Sequence, residues 1–189
     1  TDLRGLLDAG VVLPPARIVD ILRQTLAGLA EAHEHGIVHR DIKPDNVFLE
    51  PTRRGGDRVK LIDFGIARVA RDEQLTLAGQ FVGTPWYSAP EQVRGEHGPS
   101  TDLYAVGVLL FEMLTGDVPF DDPSPVQVLI QHQTAARPDP VKVARDREVP
   151  RALADVCLRA MAIDPARRYP TAEALADALL EASEARGAT

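Results

Sequence analysis

A mostly helical single domain with one short β-hairpin is the fold class predicted by this 189-residue sequence. Three observations carry that prediction. Apolar residues recur at three and four positions for about six helical turns after Pro14; residues 102–115 are apolar on nearly every side; and the β-rich runs are short and few.

Taken in order, residues 2–10 place Leu3, Leu6 and Leu7 in helical register and predict a short helix. Pro14 and Pro15 suit a first turn, whose N–H groups have no intrahelical partner. Ile18, Leu22, Leu26, Leu29 and His33 then mark one face of a long helix, and Gly36 stops it in a left-handed cap. Val38, residues 47–49 and residues 59–62 are β-rich, with Arg53, Arg54, Gly55 and Gly56 between the last two runs. They predict a small hairpin, too little for a sheet-based core. A helix apolar all round is a buried one, so residues 102–115 are the expected central helix, with Asp102 as its N-cap. Further helices are expected at 125–133, 150–162 and 171–184, the last capped by Thr171 with Glu173 in its first turn. Proline-bearing loops at 119–125 and 138–140 separate them.

Composition limits the function classes. Apolar residues make up 44% and charged ones 26%, so a packed core is available and intrinsic disorder is not expected. With 21 Lys+Arg against 28 Asp+Glu, the net charge is -7, which argues against a broad phosphate-neutralising nucleic-acid surface. No stretch approaches the roughly 18 consecutive apolar residues of a membrane span, so no membrane contact is expected from this segment. One cysteine, Cys157, forms no internal disulfide and reads as a small apolar helix residue, which suits a cytoplasmic protein. The chain opens on Thr1 rather than Met, as a fragment or processed product would.

The chemistry concentrates between the two central helices. The sequence reads H-R-D-I-K-P-D-N over residues 39–46, D-F-G over 63–65 and G-T-P-W-Y-S-A-P-E over 83–91, followed by T-D-L-Y-A-V-G from Thr101 and D-P-A-R-R over 164–168. In order and spacing these segments resemble the catalytic loop, metal-binding motif and activation-segment end of the eukaryotic-like (Hanks-type) bacterial Ser/Thr protein kinases. Each triplet alone is weak; the ordered set is specific and covers essentially the whole chain. The resemblance implies the large C-terminal lobe of such a kinase, with ATP and Mg²⁺ (Mn²⁺ as an alternative) as cofactors and a protein as substrate.

That resemblance assigns roles residue by residue. Asp41 orients the acceptor hydroxyl and takes its proton, and Lys43 reaches the transferred phosphate as a compact point charge. Asn46 and Asp63 are hard oxygen ligands for the metal, Gly65 frees the backbone beside Asp63 to turn, and Phe48 lies under the adenine. His39 packs on Phe64 and holds the loop. Asp102 bonds the catalytic-loop backbone, compatibly with capping its helix, and Glu91 pairs with Arg168 to tie the activation segment to the late helices. Arg40 is expected to pair with a phosphate on Thr76, although an ordinary polar loop threonine is the alternative there. Thr84 contacts Asp41 and Lys43 and favours Ser/Thr over Tyr acceptors. His33 and His35 point to different helix faces and are read as a solvated helix end rather than a metal site.

One feature of the kinase pattern is missing from these residues. Lysine occurs only at 43, 60 and 142, and the glycines before His39 are Gly5, Gly10, Gly28 and Gly36, with no G-x-G. The phosphate-covering loop and the strand lysine therefore belong to a small N-terminal lobe outside this sequence, without which the segment is expected to transfer little phosphate. The competing reading is a truncated kinase-like binding module. Small-molecule phosphotransferases share the base and metal ligands but not the A-P-E segment.

Overall fold

The computed structural model describes residues 1–53, 55–64, 84–144 and 146–185. Leu3–Asp8 form α1, which starts where the Asp2 carboxylate accepts the Gly5 N–H at 2.7 Å. Pro15–Glu34 form α2, which ends in a left-handed Gly36. There Gly36 N–H donates to the His33 carbonyl and Ile37 N–H to the Ala32 carbonyl, the paired closure that a glycine past a helix end permits.

Strands Val47–Pro51 (β1) and Asp57–Leu61 (β2) pair antiparallel with Val47 opposite Leu61. The expected strand at Val38 is not formed: that residue lies in loop between α2 and residues 39–46, and the sheet found among the described residues, β1 with β2, does not include it. The hairpin is held by its surroundings rather than by length. Gln24 of α2 bonds β2 twice, donating to the Asp57 carbonyl at 2.8 Å and accepting the Val59 N–H at 3.0 Å. Arg17 makes a two-point contact to the Asp57 carboxylate at 2.8 and 3.2 Å. On the other edge, Thr1 and Leu49 exchange backbone bonds at 3.0 and 2.8 Å, which seats the start of the chain on the hairpin.

Pro99–Thr115 form α3, three residues longer at its start than the apolar pattern predicts. Every residue from Thr101 to Thr115 is buried, as a helix hydrophobic all round must be. Gly98 stands at its N-cap, so Asp102 lies inside the first turns and its carboxylate is free for other work. Pro125–Thr134 (α4), Arg151–Ala160 (α5) and Ala172–Glu184 (α6, capped by Thr171) complete the helices, with a single helical turn at Pro140–Val143. Helix α3 packs against α2, α5 and α6, and α2 lies along α6. The result is a helical body built around α3 with a two-stranded sheet at its edge.

The α3–α5 crossing is close because of Gly107. A Cβ there would lie 2.8 Å from the Ala160 Cβ and 3.1 Å from its backbone, and the Cys157 thiol donates to the Gly107 carbonyl at 3.4 Å. Gly107→Val is expected to lower the unfolding free energy by about 1–3 kcal/mol through overpacking, measured by urea denaturation. An unchanged midpoint would show that the crossing tolerates a side chain.

Candidate active site

The catalytic loop hangs from one buried carboxylate. Asp102 Oδ2 accepts the His39 N–H and Oδ1 the Arg40 N–H, both at 2.8 Å. Those two bonds require the backbone to turn sharply, and Arg40 adopts φ 66, in the left-handed region that costs a side-chain-bearing residue about 1–2 kcal/mol. The same carboxylate lies 2.8 Å from His33 Nε2, whose side chain is only 10% exposed. His33 is therefore not a solvated helix end: it is the third partner of Asp102, from the last turn of α2. No local spacing reveals that contact, since 69 residues separate the pair.

His39 is fully buried, and burial pushes its imidazole below the usual histidine range. Nε2 lies 3.0 Å from the Ile62 carbonyl, which can only accept, so Nε2 carries the proton. Nδ1 is then free to accept the Asp41 N–H at 3.3 Å. The ring sits 4.5 Å from that of Phe64, tilted by 43°. His39 thus ties the loop carrying Asp41 to the segment carrying Asp63, which is exposed and also left-handed at φ 55.

Around Asp41 the structure brings four of the expected residues together. Lys43 Nζ lies 3.1 Å from Asp41 Oδ2 and 3.5 Å from Thr84 Oγ1. Asn46 is buried and donates Nδ2 to the Asp41 carbonyl at 2.8 Å and to its carboxylate at 3.3 Å. Its amide nitrogen is thus committed to the loop and its Oδ1 is left to accept or ligate. Among the described residues no group of three or more His, Cys, Asp or Glu is placed to hold a metal. Two oxygen donors, Asn46 and Asp63, suit Mg²⁺, which takes most of its ligands from water and phosphate. Phe48 is half-buried on the face of β1 opposite Val47 and Leu49. Thr76 and Gly65 lie outside the described residues.

The far end of the activation segment is pinned at several points. Glu91 and Arg168 form a buried two-point pair at 2.6 and 2.8 Å, and Arg168 also donates to the Ser100, Ala162 and Ile163 carbonyls. Sequence reasoning missed two further anchors. Tyr87 donates its hydroxyl to Glu112 of α3, and Arg4 of α1 bonds Glu112 at 2.9 Å and the Tyr87 oxygen at 2.7 Å. Trp86 donates Nε1 to Asp121 at 2.9 Å. Their partners come from different parts of the chain, which no periodicity could signal.

The family profile described as "Protein kinase domain" matches residues 1–180. The chain belongs to the protein kinase domain family. Serine/threonine-protein kinase pkn3 of Myxococcus xanthus is 40% identical over 178 residues, 92% of this chain and 32% of that kinase. The chain thus spans about a third of that relative's length. The PknI kinase domain of Mycobacterium tuberculosis superposes with a TM-score of 0.70 at 27% identity, over 96% of this chain and 62% of the solved domain. Rad53 1-466 in complex with AMP-PNP matches with a TM-score of 0.74 at 29% identity, over 93% of this chain and 43% of that one. The kinase fold of this chain is accordingly that of the large lobe.

Burial raises the Glu91 carboxyl pKa, but the hydrogen bonds and charge of Arg168, together with a backbone hydrogen bond and the Thr101 hydroxyl, outweigh it and hold the group below the ordinary glutamate range. A carboxylate depressed in the folded state adds stability above its unfolded pKa and loses it as pH falls through the folded value. Arg168→Met is expected to cost about 3–5 kcal/mol by stranding Glu91, and the double variant with Glu91→Gln to recover part of that loss while flattening the acid limb of the stability profile. Urea midpoints between pH 7 and pH 3 check both; a double variant no better than the single would place the cost elsewhere.

Proposed function

We propose that this chain forms the large lobe of a Ser/Thr protein kinase that transfers the γ-phosphate of ATP to serine or threonine hydroxyls of a protein. The observation that carries the reading is Lys43, whose ammonium stands between the Asp41 carboxylate at 3.1 Å and the Thr84 hydroxyl at 3.5 Å. A base, a cation and an acceptor-side hydroxyl then share one small space at the cleft.

In this reading Asp41 holds the acceptor hydroxyl and takes its proton. Lys43 and the Asn46 amide keep the carboxylate aimed, so little reorganisation is left for the transfer itself. Lys43 presents positive charge where the phosphoryl oxygens gather it. Asn46 Oδ1 and the Asp63 carboxylate would hold Mg²⁺, which when bound neutralises charge on the phosphate oxygens. Phe48 offers an apolar floor to the base of the nucleotide. Arg40, beside Asp41, is a candidate partner for a phosphate at Thr76. The protein substrate enters along the side bearing Thr84 and Trp86.

The nucleotide's other face needs a Gly-rich loop and a strand lysine from residues outside this sequence. The small lobe of the same polypeptide is therefore the chain's first partner, and the 189 residues alone transfer little phosphate.

With the complete natural polypeptide, radiolabelled ATP, Mg²⁺ and a generic protein substrate, label is expected on serine and threonine. Asp41→Asn should lower turnover about 10²–10⁴-fold, the usual worth of a positioned base. Label on tyrosine would refute the acceptor class, and nucleotide binding without transfer by the wild type would favour a binding module.

A further inference from the structure

Among the described residues, Arg4 of α1 is the one cation lining a groove of about 480 Å³ that Thr84, Trp86 and Asp121 also line. The mechanism above gives this arginine no part. Its side chain is 29% exposed, open enough to reach the groove and enclosed enough to be held by what surrounds it.

Three of its neighbours form a closed circuit. Arg4 Nη1 donates to Glu112 Oε1 at 2.9 Å, Arg4 Nη2 donates to the Tyr87 oxygen at 2.7 Å, and the Tyr87 hydroxyl donates to Glu112 Oε2. A guanidinium can only donate and a carboxylate accepts, so the phenol between them does both. Burial and the Glu112 charge push the Tyr87 phenol above its ordinary range, which keeps its hydrogen in place as a donor. Glu112 belongs to the fully buried stretch of α3, so the carboxylate is the fixed member and the other two groups align to it.

Arg4 also faces the catalytic loop. Nη1 reaches Asp8 one turn along α1 at 3.1 Å, and Nε lies 3.9 Å from the Asp45 carboxylate. Asp45 stands in the turn Pro44–Asn46, whose N-cap is Lys43, and α1 packs directly on that turn. Tyr87 closes the other turn, Pro85–Tyr87, whose N-cap is Thr84. One guanidinium therefore spans the two turns whose leading residues, Lys43 and Thr84, meet at 3.5 Å. Only a planar fork of several donors serves partners in these different directions at once.

We propose that Arg4 is a positioning residue for acceptor binding, its guanidinium fixing the turn that leads from Thr84 against the turn that leads from Lys43. The consequence rests on the kinase reading; the circuit of Arg4, Tyr87 and Glu112 does not. Arg4 acts through Tyr87 and Asp45 rather than on the reacting atoms. Its described bonds reach neither Phe48 nor Asp63 on the nucleotide side, so removing it separates acceptor binding from ATP binding.

The test uses the complete natural polypeptide with myelin basic protein as the acceptor probe. Arg4→Met is expected to raise KM for the acceptor about tenfold, the worth of one charge-assisted hydrogen bond, with KM for ATP unchanged. Arg4→Lys keeps the charge without the fork and should recover only part of that loss. Tyr87→Phe alone should raise the acceptor KM similarly, and combined with Arg4→Met should add nothing further, since both act through one contact. A merely structural arginine would lower kcat through loss of folded enzyme and leave both KM values alone; that result overturns the proposal, as do full recovery in Arg4→Lys and additive effects in the double variant. Because Arg4→Met leaves the Glu112 carboxylate a partner short, Arg4→Met with Glu112→Gln is measured beside it: the same rise in acceptor KM supports the proposal, a wild-type value refutes it. Acceptor binding in the presence of a non-hydrolysable ATP analogue, read by surface plasmon resonance, should be about tenfold weaker in Arg4→Met and needs no transfer. A wild type that transfers nothing would sink the kinase reading, whereas an active wild type with unchanged acceptor affinity in Arg4→Met would sink this proposal alone.

Discussion

Asp102 accepts hydrogen bonds from the His39 and Arg40 N–H groups and sits 2.8 Å from the His33 ring, and the geometry of the cleft follows from that one carboxylate. Because α3 is buried along its length, Asp102 cannot move toward the loop; the loop must come to it. The left-handed turn at Arg40 is the conformational cost of that approach, about 1–2 kcal/mol, and two charge-assisted bonds of about 1.5–3 kcal/mol each offset it. Once Arg40 turns, Asp41 faces the cleft, and Lys43 and Asn46 follow from the short 3₁₀ turn at Pro44–Asn46. The helix core thus supplies a fixed point, and the catalytic loop is strung from it.

A second fixed point lies on the opposite side of the acceptor segment. Arg168 contributes one guanidinium to the Glu91 carboxylate and three backbone carbonyls, so its buried charge is satisfied on every edge. Between the two points runs the turn Pro85–Tyr87, bonded to α3 through Glu112 and to α1 through Arg4. The turn therefore rests on α1, α3 and α4 and is not free to adapt by itself. Charge removed at any one of these buried contacts strands its partner, which makes the network cooperative in loss.

The elements were readable because they have local signatures. Leucine periodicity gave α2, an unbroken apolar run gave α3, and Thr171 with Glu173 gave the start of α6. The candidate site residues were picked out in a different way: Asp41, Lys43 and Asn46 stand close together in one segment and Asp63 just after the hairpin, where resemblance is carried by side-chain chemistry rather than by periodicity. What could not be read was pairing across the fold. His33 looked solvated because its partner is 69 residues distant, Asp102 looked like a cap because it opens the apolar run, and Val38 looked like a strand because β-propensity is blind to the loop backbone that its tertiary setting imposes. The pairings of Arg4 and Tyr87 with Glu112 and of Trp86 with Asp121 carried no local signal, since each partner is brought close only by tertiary packing.

The single thiol illustrates how far that packing reaches. Cys157 is wholly enclosed where α5 crosses α3, and burial raises its pKa well above the ordinary thiol range. Neither access nor thiolate is available to an electrophile while the two helices stay together. Modification of this sulfur is consequently a clock for separation of α3 and α5: the alkylation rate in native buffer measures how often their crossing at Gly107 opens, without any perturbing substitution.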